Sequence, residues 1–208
     1  EEDAELGIVD MATKKRTGAI KVGQEPEGVK VSPDGKWVFV TSEVASMVHA
    51  IDAASGKVVK NIPVGKRPRR FAFNADASEI WVSNELGSSV SVISVKDLAV
   101  THTVALEVKG LRAKDITPVD LKLSKDGKTM YVGLGQANHV AFVDTTGKKV
   151  DRLVLAGKRA WGLGLSPDGN QLWVANGLSD DVTVIDTVGA KALKTIKAGR
   201  VPHSVVLD

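Results

Sequence analysis

The chain has no cysteine among its 208 residues. That excludes disulfides and thiolate catalysis. Freedom from cysteine fits an exported protein without proving export. Long apolar runs are also missing: none approaches the ~18 residues that a membrane-spanning helix needs. There is no polybasic tail, because acidic residues are interspersed and the net charge is only +3. A nucleic-acid footprint would gather basic residues on one face. Aromatic residues make up 4% of the chain, and most fall at strand-core positions, where they are closed to base stacking. No glycine-rich phosphate loop, serine nucleophile elbow or zinc motif occurs. Gly162-Leu163-Gly164 lies in an expected strand and is weak support for nucleotide binding. The four histidines, His49, His102, His139 and His203, have no metal-ligand spacing. The sequence therefore offers no catalytic residue, metal site or cofactor site.

What the chain does contain is a repeat. Ser32-Pro33-Asp34-Gly35-Lys36 recurs as Asn74-Ala75-Asp76-Ala77-Ser78, Ser124-Lys125-Asp126-Gly127-Lys128 and Ser166-Pro167-Asp168-Gly169-Asn170. The aspartates are spaced by 42, 50 and 42 residues. A period of this size means a solenoid, a propeller or an array. Within 27–68, apolar alternation through Val29 and Val31 precedes the Pro33–Lys36 turn. Strands follow over 37–41, 48–51 and 58–64, separated by Glu43-Val44-Ala45-Ser46 and Ala54-Ser55-Gly56-Lys57. Four short strands with tight turns describe a propeller blade.

The third strand recurs with a closing Asp at Asp10, Asp52, Asp144 and Asp186, and with Ser94 in the remaining copy. These read as turn formers that bond backbone amides. Phe39, Trp81, Tyr131 and Trp173 recur in the second strand and read as core between blades. The expected fold is all-β: a β-propeller of four-stranded antiparallel blades. Four complete blades span 27–68, 69–118, 119–160 and 161–202, with breaks at Pro26, Pro68, Pro118, Ala160 and Pro202. Residues 1–26 resemble the second half of a blade, and residues 203–208 a first strand. The simplest expectation is one incomplete propeller domain that lacks N-terminal blades. A five-bladed ring with one defective blade is the alternative. Open blade edges would invite self-association.

The tetrads Phe39-Val40-Thr41-Ser42, Trp81-Val82-Ser83-Asn84 and Trp173-Val174-Ala175-Asn176 resemble the signature of the YVTN family of β-propeller repeats. Gln24-Glu25-Pro26-Glu27-Gly28, Gly133-Leu134-Gly135-Gln136-Ala137-Asn138, Asn176-Gly177-Leu178-Ser179-Asp180-Asp181-Val182 and the insertion before Pro118 are similar to one subfamily, the propeller associated with PQQ-dependent alcohol catabolism. That resemblance covers essentially the whole chain. It implies the C-terminal part of a propeller of about seven blades. It also implies a periplasmic or secreted protein beside quinoprotein dehydrogenases and cytochromes c. It implies no catalytic residue.

In an up-and-down blade, the links between blades and the loops from second to third strand share one face. Arg67, Arg69, Arg70, Arg159, Trp161, Arg200 and His203 belong to the links, and Glu43, Asn84, Glu85 and Asn176 to the loops. One interval exceeds the period by eight residues; the extra length spans Val108–Ile116 and adds Arg112 and Lys114 to the same face. Converging arginines suit bidentate binding of a carboxylate or phosphate. The competing reading is a rim of Arg–Glu pairs of little energetic consequence. The favoured function is a non-catalytic binding or scaffold propeller. Its partner would be a protein, such as a periplasmic dehydrogenase or cytochrome c, or a small anion. A lactonase-like or cofactor-handling enzyme and a nucleic-acid-binding propeller are the alternatives.

Overall fold

A computed structural model describes residues 3–207; positions 1, 2 and 208, at the ends of the expected partial blades, lie outside the described residues. A two-stranded hairpin, β1 (Glu5–Asp10) and β2 (Lys15–Lys21), comes first. Four antiparallel sheets follow, each with its strands in chain order. The first holds β3 (Pro26–Val31), β4 (Trp37–Ser42), β5 (Met47–Asp52) and β6 (Lys57–Pro63). The second holds β7 (Pro68–Phe73), β8 (Glu79–Asn84), β9 (Ser89–Ser94) and β10 (Ala99–Ala105). The third holds β11 (Leu121–Leu123), β12 (Thr129–Gly133), β13 (His139–Asp144) and β14 (Lys149–Leu155). The fourth holds β15 (Ala160–Leu165), β16 (Gln171–Asn176), β17 (Asp181–Asp186) and β18 (Lys191–Lys197). The described residues contain no α-helix, only 3-10 turns at Glu85–Gly87 and Ala113–Asp115. This is an all-β propeller architecture.

Turn chemistry sets the hairpins. Asp34 Oδ1 accepts from Ser32 Oγ and from the Lys36 amide, while Gly35 supplies a φ of 73°. Asp126 and Asp168 repeat the arrangement. In the second sheet, Ala77 takes the left-handed place with φ 58°. The closing aspartates also bond turn amides: Asp52 accepts from Ser55, and Asp144 from Thr146 and Gly147. At Ser94 the hydroxyl accepts from the Asp97 amide instead.

The apolar core lies between sheets rather than at one centre. Phe39, Phe71 and Leu98 join the first two sheets; Trp81, Leu121 and Met130 join the second and third; Tyr131, Leu163 and Leu172 join the third and fourth. Phe39 and Trp81 are fully buried, each stabilising the stack by roughly 2–3 kcal/mol of apolar burial. A turn residue of each later sheet covers the aromatic of the sheet before it. Leu98 packs in the cluster of Phe39, Lys148 lies over Trp81, and Ala190 packs in the cluster of Tyr131.

The inner strands β3, β7, β11 and β15 lie side by side. Hydroxyls tie them together. Thr41 Oγ1 accepts from the Gly28 amide and donates to the Arg69 carbonyl. Ser83 Oγ accepts from the Arg70 amide and donates to the Val119 carbonyl. A Cβ at Gly28 would collide with the Arg69 carbonyl, so only glycine fits there. Residues 203–207 continue the series beside Gly162 and Gly164 but form no strand, contrary to the sequence expectation. No second strand lies next to them among the described residues, so their backbone has no ladder partner.

Candidate functional site

The links and the second-to-third-strand loops do share a face. The Glu43 amide donates to the Glu25 carbonyl, Glu85 to Arg67, and Gly177 to Arg159, each over 2.9–3.0 Å. The link residues Glu25, Arg67, Arg159 and Val201 all adopt left-handed backbone, with φ between 50° and 60°. This sharp turn delivers the next residues of each link to the inner strand. Glu27, Arg69, Val119, Trp161 and His203 hold the same place in successive repeats, one residue after Pro26, Pro68, Pro118, Ala160 and Pro202.

Two clusters form there. The first is ionic. Glu43 is 6% exposed and takes the Arg67 Nε–H at 2.7 Å and the Arg69 guanidinium as well. Arg70 reaches Glu27 at 3.1 Å, and Arg67 lies 3.2 Å from Glu85. Arg69 Nε and Glu85 Oε2 face each other at 3.6 Å, beyond hydrogen-bond range, and both are buried without a hydrogen-bond partner. Burial works against the Arg67 charge, but Glu43 and Glu85 outweigh it and hold its guanidinium above the ordinary arginine range. Three arginines are thus matched by three glutamates, and the deepest pair, Arg69–Glu43, is shielded from water.

The second cluster surrounds Trp161, which is 8% exposed. The Arg159 and Arg69 guanidinium carbons lie 4.0 and 5.3 Å from its ring centre. Its indole N–H donates to His203 Nε2 at 2.8 Å. Below it opens a cavity of ≈ 390 Å³ lined by Arg70, Asp120, Lys122, Trp161, His203 and Ser204, together with Val119 and Gly162. Asp120 is not free within it. One carboxylate oxygen accepts from its neighbour's amide at Leu121, and the other from Leu163 of the next sheet, both at 2.9 Å. Asp120 does for the third sheet what Thr41 and Ser83 do for the first two, because the corresponding residue in β12 is Gly133. A larger open groove near Trp37 and His102 lies between the first two sheets, on the side of the hairpin turns, and contains none of the link residues.

The remaining residues singled out by sequence fall elsewhere. Asn84 and Asn176 are buried under the links, where their amides donate to Ser89 and Ser91, and to Asp181 and Thr183. Arg112 pairs with Asp115 at 2.7 Å on the insertion. The insertion is anchored by buried Val108 and Ile116 and by the Ser88 hydroxyl, which donates to Ala113. Lys114 and Arg200 are exposed and apart from both clusters. His49 is a core tie, accepting from the Gly23 amide at 2.9 Å. Sequence reading passed over Asp120, Lys122 and Ser204. Their signal was available: Asp120 and Ser204 lie two residues past a link proline, in register with Arg70 and Gly162, and Lys122 lies two residues further on, in register with Ala72 and Gly164.

Residues 29–205 match a protein-family model described as lactonase, 7-bladed beta-propeller. No curated protein sequence matches the chain. Among solved structures, the Pseudomonas aeruginosa periplasmic gluconolactonase superposes with TM-score 0.79 at 22% identity, over 96% of this chain and 64% of that one. Kuenenia stuttgartiensis hydrazine synthase gives 0.71 at 17%, over 98% and 83%. The dihydro-heme d1 dehydrogenase NirN gives 0.75 at 15%, over 96% and 44%. At these identities the likeness is one of fold.

Proposed function

Since the chain belongs to the lactonase, 7-bladed beta-propeller family, we propose that its link face is a binding site for a small carboxylate- or phosphate-bearing molecule, centred on the cavity beneath Trp161. One observation carries this reading. Arg70, Lys122, His203 and Ser204 converge on the cavity, whose lining carboxylate, Asp120, is engaged by two backbone amides. Arg70 also pairs with Glu27 at 3.1 Å, and Lys122 lies 3.6 Å from Asp120. A guanidinium carries five N–H donors and an ammonium three, so donors remain beyond these pairings and an acceptor-rich anion is the complementary ligand. The ionic cluster next door is charge-matched. Apart from Arg70, which also lines the cavity, it supports the site by fixing Trp161 and does not itself capture ligand.

The name of the periplasmic gluconolactonase, and the resemblance to propellers of PQQ-dependent catabolism, favour a periplasmic setting. In that setting the protein would serve as a binding accessory to a quinoprotein dehydrogenase or cytochrome c system. The experiment is calorimetric titration with gluconate and with inorganic phosphate. Binding that weakens with salt and disappears in Arg70→Glu is expected. Equal affinity in wild type and variant removes the site.

The family match favours a second reading, lactone hydrolysis. Hydrolysis of glucono-δ-lactone, followed by pH-stat, tests it. Turnover above the spontaneous rate that His203→Asn abolishes would place catalysis in this cavity. Gluconate binding without turnover leaves the non-catalytic reading standing.

A further inference from the structure

The bond between Trp161 and His203 has a chemical consequence. An indole N–H can only donate. His203 Nε2, 2.8 Å away, must therefore be an unprotonated acceptor. In a neutral imidazole the proton then sits on Nδ1. Among the described residues nothing accepts that proton, and the ring lines the cavity. We propose that Trp161 locks His203 into the Nδ1–H tautomer, making it a directed hydrogen-bond donor to an acceptor oxygen of the cavity's ligand. Trp161 is then a positioning residue and His203 a ligand-contacting one. The proposal rests on the binding reading above for its ligand, but not for its tautomer.

The surroundings are built for this. Trp161 cannot turn away, because Arg69 and Arg159 hold its ring and Arg69 is in turn held by Glu43. His203 is brought close by backbone contact, since a Cβ at Gly162 would collide with the His203 carbonyl. A chain of contacts thus runs from a loop of the first sheet to an exposed histidine, and its end point is the choice of which nitrogen carries a proton. The matching ligand atom is an oxygen with a free lone pair and no proton: a carboxylate, a phosphate or a carbonyl.

Nitrogen-15 NMR of the histidine side chains at pH 8, without ligand, tests the tautomer directly. His203 should show a protonated Nδ1 and a pyridine-like Nε2. Trp161→Phe keeps an aromatic face, though a smaller one, and removes the N–H; it should return His203 towards the Nε2–H form. A wild-type His203 with its proton on Nε2 overturns the proposal without any variant. Gluconate should then shift the Nδ1 resonance more than Nε2. If the tautomer is as stated but neither gluconate nor phosphate moves Nδ1, the donor role fails while the binding site is judged by calorimetry. Two substitutions separate the nitrogens. His203→Asn can place an amide N–H near the Nδ1 position; His203→Gln reaches the Nε2 position but leaves no donor at Nδ1. Gluconate should bind about tenfold more weakly to the Gln than to the Asn variant. Equal or reversed affinities overturn the donor assignment.

Discussion

Lys148, in the last turn of the third sheet, lies 4.8 Å over the ring of Trp81 in the second and pairs with Glu79, which also accepts the Trp81 indole N–H at 3.2 Å. The three residues close the seam between two blades on the face opposite the links. Lys148→Met keeps the aliphatic stem and removes the charge. It should cost about 1–2 kcal/mol in urea unfolding, from the lost cation–π and partly buried ion-pair contacts. A change below ~0.3 kcal/mol would mean the seam is held by apolar packing alone.

Glu43 is the keystone of the ionic cluster. Glu43→Gln leaves Arg69 buried without its main counter-charge, and should destabilise the protein by about 3 kcal/mol. The double variant with Arg69→Met should recover much of that loss. If the single variant unfolds at the wild-type urea concentration, the cluster is a solvated rim after all.

Ala77 occupies a left-handed position that Gly35, Gly127 and Gly169 fill in the other sheets. Ala77→Gly should raise stability by roughly 0.5–1 kcal/mol, since relief of the Cβ strain exceeds the added chain entropy. A lower melting temperature would show that the turn is unstrained.

The turn aspartates Asp34, Asp76, Asp126 and Asp168 have their carboxyls held below the ordinary range. The causes are the side-chain hydroxyl bonds, from Ser32, Ser78, Ser124 and Ser166, and then backbone amides. Their folded values are depressed, so their stabilisation is present above the unfolded value, near pH 4, and is lost as pH falls through the folded ones. Acid unfolding should therefore steepen below about pH 4. The Asp126→Asn, Asp168→Asn pair should flatten that limb. An unchanged acid profile in the double variant would count against it.

Val29 and Val31 on β3 are 54% and 53% exposed, leaving apolar surface on an inner strand. Light scattering should show concentration-dependent self-association of these 208 residues. Val29→Thr with Val31→Thr should reduce it. A monomer at all concentrations would mean that this face is inert.

Local chemistry was legible in the sequence. Alternation, Asp-Gly turns and the 42-residue register depend on neighbours within a few positions, and these gave the strands, the hairpins and the shared face of links and loops. The buried positions of Phe39, Trp81 and Tyr131 followed from the same register; Trp173, expected in the core as well, is only partly buried, because no sheet follows the fourth among the described residues. What tertiary structure decided was pairing across blades. Arg67, Arg69 and Arg70 read as free cations along the chain, yet Glu27, Glu43 and Glu85 neutralise them from other loops. Asp120 joins the cavity lining, but only folding brings the Leu163 amide to its carboxylate, 43 residues away. The fate of His203 was decided the same way, by an indole 42 residues earlier. Periodicity fixes which residues share a level of the propeller. It does not say which of them touch, because that depends on side-chain length and on the angle between blades. Those contacts, rather than the repeat, determine which polar groups remain free to meet a ligand.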